Sequence, residues 1–246
     1  MKTKYYVRFL NRAAHFDADI ELVDVIGLAS KQGKICSPQS PYLFDCVDLA
    51  RHPRLASRAK TAHNRNIAIT HLKSTLCGSL LKDAYEDLTI YLKDLISGAA
   101  QKGLDPNRLI GEHKESFDTN VILACGSWGA VVRLVSDALF RRLENLRNTK
   151  GLLTKLNDKL NLQVDTGKID AVLPYLEIRH LLVHQDGLAD QKFCDDYPAM
   201  GAIKGKKLKL DHALVATARA AIADLIKDFD EKAVTNDIVP QSDLQP

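Results

Sequence analysis

An arginine and two histidines crowd the run Arg179-His180-Leu-Leu-Val-His184, the densest gathering of groups in the chain that can do chemistry near neutral pH. An imidazole can take the proton of a hydroxyl and return one to a leaving oxygen, and a guanidinium can hold two phosphate oxygens in its fork. Those abilities match cleavage of RNA by its own 2′-hydroxyl. The ribose oxygen attacks the adjacent phosphorus, the 5′-oxygen leaves, and a cyclic phosphate remains. Neither a metal nor an enzyme nucleophile is required, and DNA, which lacks the attacking hydroxyl, is inert.

The segment must be a helix for these residues to be presented together. Pro174 suits a first turn, no breaker follows until Gln185-Asp186-Gly187, and the spacing predicts a helix over 170–184. His184 then stands where helix gives way to turn, with Gly187 the expected left-handed residue. On an ideal helix Arg179 and His184 point about 140° apart. Either the backbone leaves the helix before His184, or the same segment of a second copy completes the site, so a homodimer with twofold symmetry is expected. Glu177, His180 and His184 fall at i, i+3 and i+7, within about 60° of one another, and offer a different grouping. They can be read as ligands of zinc or iron, or as a structural set in which Glu177 pairs with a histidine. The pattern is not H-E-x-x-H and no fourth ligand is assigned, so the preferred reading has no metal and no cofactor.

Helical periodicity dominates the rest of the chain. From about Ile69 to Ala99, Leu81, Leu88, Leu92 and Leu95 form an apolar stripe. Gly103-Leu-Asp-Pro-Asn107 breaks that helix. A second runs from about Ser127, a plausible cap, to Asn148, with Trp128, Val131, Val135, Ala138, Leu139 and Leu146 in rhythm. Leu152–Leu160 reads as a short helix. The last begins at the N-cap Asp211 and reaches about Glu231 through Leu214, Ala218, Ala221, Ile222, Leu225 and Phe229. Together they predict an all-α protein, an antiparallel four- to five-helix bundle, and no doubly wound sheet, because strands do not alternate with helices. Residues 1–66 read as an N-terminal extension or extra subdomain, with Tyr5–Leu10 a short strand or first helical turn and Ser37–Pro41 a loop. Arg51–Lys60 places four positive charges around a proline without the aromatic residues that stack bases, and reads as a solvated approach to the first long helix. The polar, proline-ended segment 233–246 is expected to be a disordered tail.

Composition bounds the function. The 246 residues are 46% hydrophobic and 26% charged with a formal net charge of +3, which permits contact with a polyanion without requiring it. The five cysteines show no CxxC spacing and read as free thiols in a reducing compartment. No apolar run approaches a membrane span and the N-terminus lacks the apolar segment of a signal peptide, so no membrane partner and a cytoplasmic location are expected.

The segment 175–193 resembles the signature of the HEPN superfamily, helical bundles carrying an Arg-x(4–6)-His motif, here Arg179-His-Leu-Leu-Val-His184 with His180 as the polar residue after the arginine. The continuation His184-Gln-Asp-Gly-Leu-Ala-Asp-Gln-Lys-Phe193 is similar to the turn that follows the motif in the larger HEPN proteins of bacterial defence and toxin–antitoxin loci. The resemblance covers 67–232 and implies that Arg179 and His184 are the catalytic pair of a metal-independent endoribonuclease. His180 and Glu177 would support them, and two protomers would face each other across an RNA-cutting cleft. It also implies an antitoxin or regulatory protein as a partner. The spacing itself is common: Arg8/His15, Arg58/His63, Arg65/His71 and Arg108/His113 satisfy it too. Only Arg179/His184 follows an apolar helix and precedes a glycine turn and another amphipathic helix. The alternative is a non-catalytic helical module that binds RNA or a partner protein.

Overall fold

A computed structural model of the chain describes residues 1–103, 116–144 and 149–246. The fold is all-α, as the periodicity predicts. Its helices are α1 (Lys4–Lys31), α2 (Pro53–Ala56), α3 (Ala62–Gln101), α4 (Thr119–Ala124), α5 (Trp128–Glu144), α6 (Thr149–Leu160), α7 (Thr166–His184), α8 (Gln191–Asp196) and α9 (His212–Thr235). A two-residue strand at each end, β1 (Lys2–Thr3) and β2 (Leu244–Gln245), forms a small antiparallel pair.

Cross-helix contacts fix the directions. Arg8 pairs with Asp94 at 2.7 Å, Arg12 with Asp87 at 2.6 Å and Lys73 with Asp24 at 3.2 Å, so α1 and α3 are antiparallel. Against α9, α7 is antiparallel: the backbone N–H of Asp165 donates to Asp228 (2.8 Å) and Lys168 pairs with Asp224 (3.0 Å). The same sense holds between α7 and α3, where Arg179 lies over Tyr85 and Leu182 faces Gly78. Leu81, Leu88, Leu92 and Leu95 of the expected α3 stripe are buried, and so are Ala218, Ile222, Leu225 and Phe229 of α9. Asp211 caps α9, accepting from the N–H of Leu214 (3.1 Å), and Ser127 accepts from the N–H of Ala130 (3.2 Å) at the start of α5. Trp128, expected in the apolar rhythm of α5, is instead 78% exposed. Residues 104–107 of the expected break and 145–148 of the expected second helix lie outside the described residues, as do Arg108 and His113.

Both chain ends hold more structure than expected. Of the two readings of Tyr5–Leu10, the helical one is right: the stretch opens a helix of 28 residues. Tyr5, Tyr6, Phe9, Ala13, Phe16 and Ile20 share one core with α3, α6, α7 and α9, so the N-terminal residues are built into the bundle. The segment 233–246, expected to be disordered, is held by Ala233 and Val239 in the core and by the β1–β2 pair. Burial of those two side chains and the backbone hydrogen bonds of the strand pair offset the entropy that composition alone would leave unpaid.

The helix α7 begins earlier than the sequence predicts. Asp165 caps it, its side chain accepting from the N–H of Gly167 (2.8 Å), and Thr166-Gly-Lys-Ile, ahead of the expected start at 170, forms its first residues. Pro174 therefore sits inside the helix rather than at its start. An interior proline costs about 3 kcal/mol. Core burial of Ile169, Val172, Leu173, Leu176, Ile178 and Leu181 exceeds that, because each fully buried aliphatic side chain contributes roughly 1.5–3 kcal/mol.

A candidate cleft at the end of helix α7

The helix continues without interruption to His184, and its end is tightly specified. Gln185 and Gly187 both donate their N–H to the carbonyl of Leu181, at 2.9 and 3.0 Å. Gly187 is left-handed (φ 75°), as expected, and so is Asp186 (φ 52°). Asp190 then caps α8, accepting from the N–H of Phe193 (2.7 Å) and from the Gln185 amide (3.0 Å). Those hydrogen bonds, the Phe193 one foremost, hold its carboxyl below the usual range.

Glu177, Arg179, His180 and His184 all border one cleft of about 630 Å³. The cleft is walled by Tyr85 of α3, by Asp190, Lys192 and Phe193 at the start of α8, and by Tyr197 after it. Arg179 and His184 were expected not to share a compact site in one regular helix. They do border one cavity in a single chain. Arg179 is long enough to curl sideways, its guanidinium 4.7 Å from the centre of the Tyr85 ring, a cation–π contact that fixes its direction. Neither an unwound helix nor a second copy is needed to put both residues on the cleft.

The imidazoles of His180 and His184, one turn apart, lie with ring centres 4.6 Å apart and planes inclined at 48°. Both are exposed, and neither they nor Glu177 and Arg179 make a side-chain hydrogen bond to a described residue. Burial, together with the charges of Glu177 and Asp196, raises the Tyr197 phenol above its usual pKa, so it remains a hydrogen-bond donor. Among the described residues no three His, Cys, Asp or Glu side chains are arranged to hold a metal ion, so the Glu177/His180/His184 grouping lacks a ligand geometry. All five cysteines are free thiols.

Sequence reasoning did not assign Tyr85, Asp190, Lys192 or Tyr197 to this site. Asp190, three residues before Phe193 and just beyond a glycine turn, carried a readable N-cap signal. Tyr85 carried none, because its role depends on how α3 packs against α7. Beside the turn runs the lysine-rich strap Lys204-Gly-Lys-Lys-Leu-Lys209. It is stitched to the post-helix residues by Ala189 N–H to the Lys206 carbonyl (3.0 Å), Gly205 N–H to Ala189 (2.8 Å) and Leu208 N–H to Gly187 (3.0 Å). Among the described residues no helix is long and apolar enough to cross a membrane.

Comparison with protein-family models, curated proteins and solved structures finds no match to this chain.

Proposed function

We propose that the protein is a metal-independent endoribonuclease of HEPN type, acting in the cytoplasm as a toxin or defence effector, with Arg179 and His184 as its catalytic pair. One observation carries the reading: an arginine oriented by an aromatic ring and two imidazoles 4.6 Å apart open onto the same cleft without side-chain hydrogen bonds to described residues. Exposed ionisable groups lacking structural partners are available to a ligand. In the proposed reaction one imidazole takes the 2′-hydroxyl proton, and the 2′-oxygen forms a bond to phosphorus. The bond to the 5′-oxygen breaks, and that oxygen receives a proton from the second imidazole. Arg179 holds the non-bridging oxygens as charge builds on them. His184 and His180 supply the base and the acid, Glu177 supports them as a neighbouring carboxylate on the cleft, and a second copy of the chain would close it.

The test is incubation of the purified protein with RNA in excess EDTA. Fragments ending in 2′,3′-cyclic phosphate are expected, with DNA of the same sequence untouched. Intact RNA across several substrates and protein concentrations, or full activity after both Arg179→Ala and His184→Ala, rejects the assignment.

A second reading, a non-catalytic module that binds a partner protein such as an antitoxin, is favoured by a separate observation. Val121, Ile122, Leu123 and Trp128 on α4 and the start of α5 are exposed together, Leu123 and Trp128 by 74% and 78%. Partner binding that is lost on Trp128→Ala and unchanged by His184→Ala, in a protein that leaves RNA intact, supports it.

A further inference from the structure

The α7 cleft has a charge problem as an RNA site. Two cationic side chains, Arg179 and Lys192, face three carboxylates, Glu177, Asp190 and Asp196. Lys192 is also paired with Asp196 at 3.5 Å. Affinity for a polyanion comes chiefly from neutralised phosphates, and this cleft neutralises few. The positive charge lies elsewhere.

A second cleft of about 620 Å³ opens between the C-terminal end of α1, the N-terminal half of α3 and the residues leading into α9. Lys31, Arg65, Lys73 and Lys209 border it, against the single lining carboxylate Asp211. Two of these cations are partly engaged: Lys73 pairs with Asp24 at 3.2 Å, and Lys209 with Asp211 at 2.9 Å. Among the described residues Lys31 has no ion pair, and the Arg65 guanidinium makes one hydrogen bond, to the Cys36 sulfur at 3.4 Å, and no ion pair. Ser30, Thr70 and Ser74 add hydroxyl donors around the rim. This combination of convergent cations and hydroxyls, with few carboxylates, suits a phosphate group.

The two clefts share α3. Tyr85 borders the first and Thr70 the second, about 22 Å apart at 1.5 Å per residue. Ser74, on the near rim of the second cleft, lies within about 20° of Tyr85 in helical projection. Over Gly78, between them, sit Leu182 and Leu210, the tips of α7 and of the strap. Lys206, Lys207 and Lys209 are exposed on that strap, which is stitched to the turn after His184. Lys207 is paired with Asp186, but both side chains are largely solvent-exposed, so the pair yields readily to a phosphate.

We propose that the second cleft is a phosphate subsite for the RNA strand, gripping the backbone several nucleotides from the bond presented to His184, with the lysine strap as the path between. The proposal rests on the reading of the α7 cleft as an RNA site. At roughly 3.4 Å of rise per stacked nucleotide the span corresponds to about six nucleotides, so RNA much shorter than that reaches one cleft only.

The test uses the full chain carrying His184→Ala, which holds RNA uncut, and fluorescein-labelled unstructured RNAs of sixteen and three nucleotides followed by anisotropy across a salt series. Arg65→Glu with Lys31→Glu is expected to weaken the sixteen-mer at least tenfold and to leave the three-mer within twofold. The double change is also expected to lower the slope of log affinity against log salt by about 1.4, two contacts at about 0.7 each. A separate Lys209→Glu variant reports on the strap side of the cleft and guards against a folding defect at Arg65. Sixteen-mer binding within twofold of the parent in variants with the parent's melting temperature overturns the proposal, as does failure of the parent to bind the sixteen-mer. Binding of inorganic phosphate or pyrophosphate that does not compete with RNA assigns the cleft to small anions and overturns it as well. A parallel EDTA cleavage assay with His184 intact separates the two claims. Cleavage that keeps its length preference in Arg65→Glu sinks the subsite alone. Sixteen-mer binding through Arg65 with no cleavage sinks the nuclease alone.

Discussion

Two polar clusters on the same bundle are built on opposite principles. Where the chain ends meet, Asp230 of α9 is 2% exposed and accepts from the N–H of Thr3 (3.1 Å), the Thr3 hydroxyl and the Tyr91 hydroxyl (3.2 Å). Nearby, Asp243 accepts from Lys4 and from Tyr5, the hydroxyl end of whose side chain lies against Gly98. Every one of these groups is matched to a partner in the fold. In the α7 cleft Asp190 and Lys192 are paired, but His180 and His184 are exposed, Glu177 and Arg179 half-buried, and none of these four side chains has a hydrogen-bond or ion-pair partner among the described residues. The difference teaches how to separate polar residues that hold the structure from those left free to act: the first are buried and paired, the second reach solvent without such partners.

The strongest way to sharpen that contrast is to cut into each cluster and read both stability and activity. His184→Ala should lower RNA cleavage by about a thousandfold, within the usual range for loss of a general acid or base. Its urea midpoint should stay within about 0.5 kcal/mol of the parent, because the residue is exposed. Initial cleavage rates beside equilibrium unfolding check both halves, and a large loss of stability would break the contrast. Asp230→Ala should do the reverse. It orphans the Thr3 and Tyr91 donors in the core and should cost about 3 kcal/mol in urea unfolding. Cleavage per folded molecule should be unchanged.

These two outcomes bear on how much could be read without a structure. The helices α3, α6 and α9 were legible because their apolar positions repeat cleanly and because Asp211 marks a start. The helix α1 was not, since Leu22, Val25 and Leu28 are exposed on it while Ala13 and Gly27 are buried, which blurs the apolar stripe. The buried clasp was illegible for a different reason: Thr3, Tyr91, Asp230 and Asp243 are scattered through the chain and meet only when it folds. For the cleft, Arg179, His180, His184 and Glu177 were legible as one short run. Their wall, Tyr85 above all, was hidden in another helix. The helical projection has Arg179 and His184 diverging from one helix, and it did not foresee the guanidinium laid across a tyrosine of another helix on the cleft that both residues border.

Smaller effects refine the comparison. A methyl group on residue 98 would meet the Tyr5 side chain, so Gly98→Ala should destabilise by up to about 2 kcal/mol. That is an overpacking cost of about 1–3 kcal/mol less the roughly 1 kcal/mol that alanine gains in a helix. A lowered melting temperature with normal cleavage is the expected pattern. The smallest effect concerns acid. Burial, the largest single influence on Asp243, would raise its pKa, but the Lys4 and Tyr5 hydrogen bonds and the Lys4 charge outweigh it and hold the carboxyl below its ordinary value. Its stabilisation is therefore present above the unfolded pKa of about 3.9 and is lost as pH falls through the lower folded value. Burial raises Asp230, against the hydrogen bonds from Thr3 and Tyr91, so its contribution has the opposite sign and is lost as pH rises through the folded value. Asp243→Asn should flatten the acid limb of unfolding free energy against pH below about pH 4, read by urea titrations at a series of pH values.

The proline inside α7 divides that helix by function. Ahead of it, Asp165 and Lys168 moor the chain to α9; behind it, the last ten residues carry every candidate reactive group the helix supplies. Pro174 has no N–H to offer the carbonyl of Asp170, so one rung of the ladder is missing between anchor and working end. Past that gap the segment that presents His180 and His184 is seated on the bundle by Leu176, Ile178 and Leu181, all buried in the core, and by Arg179 laid over Tyr85.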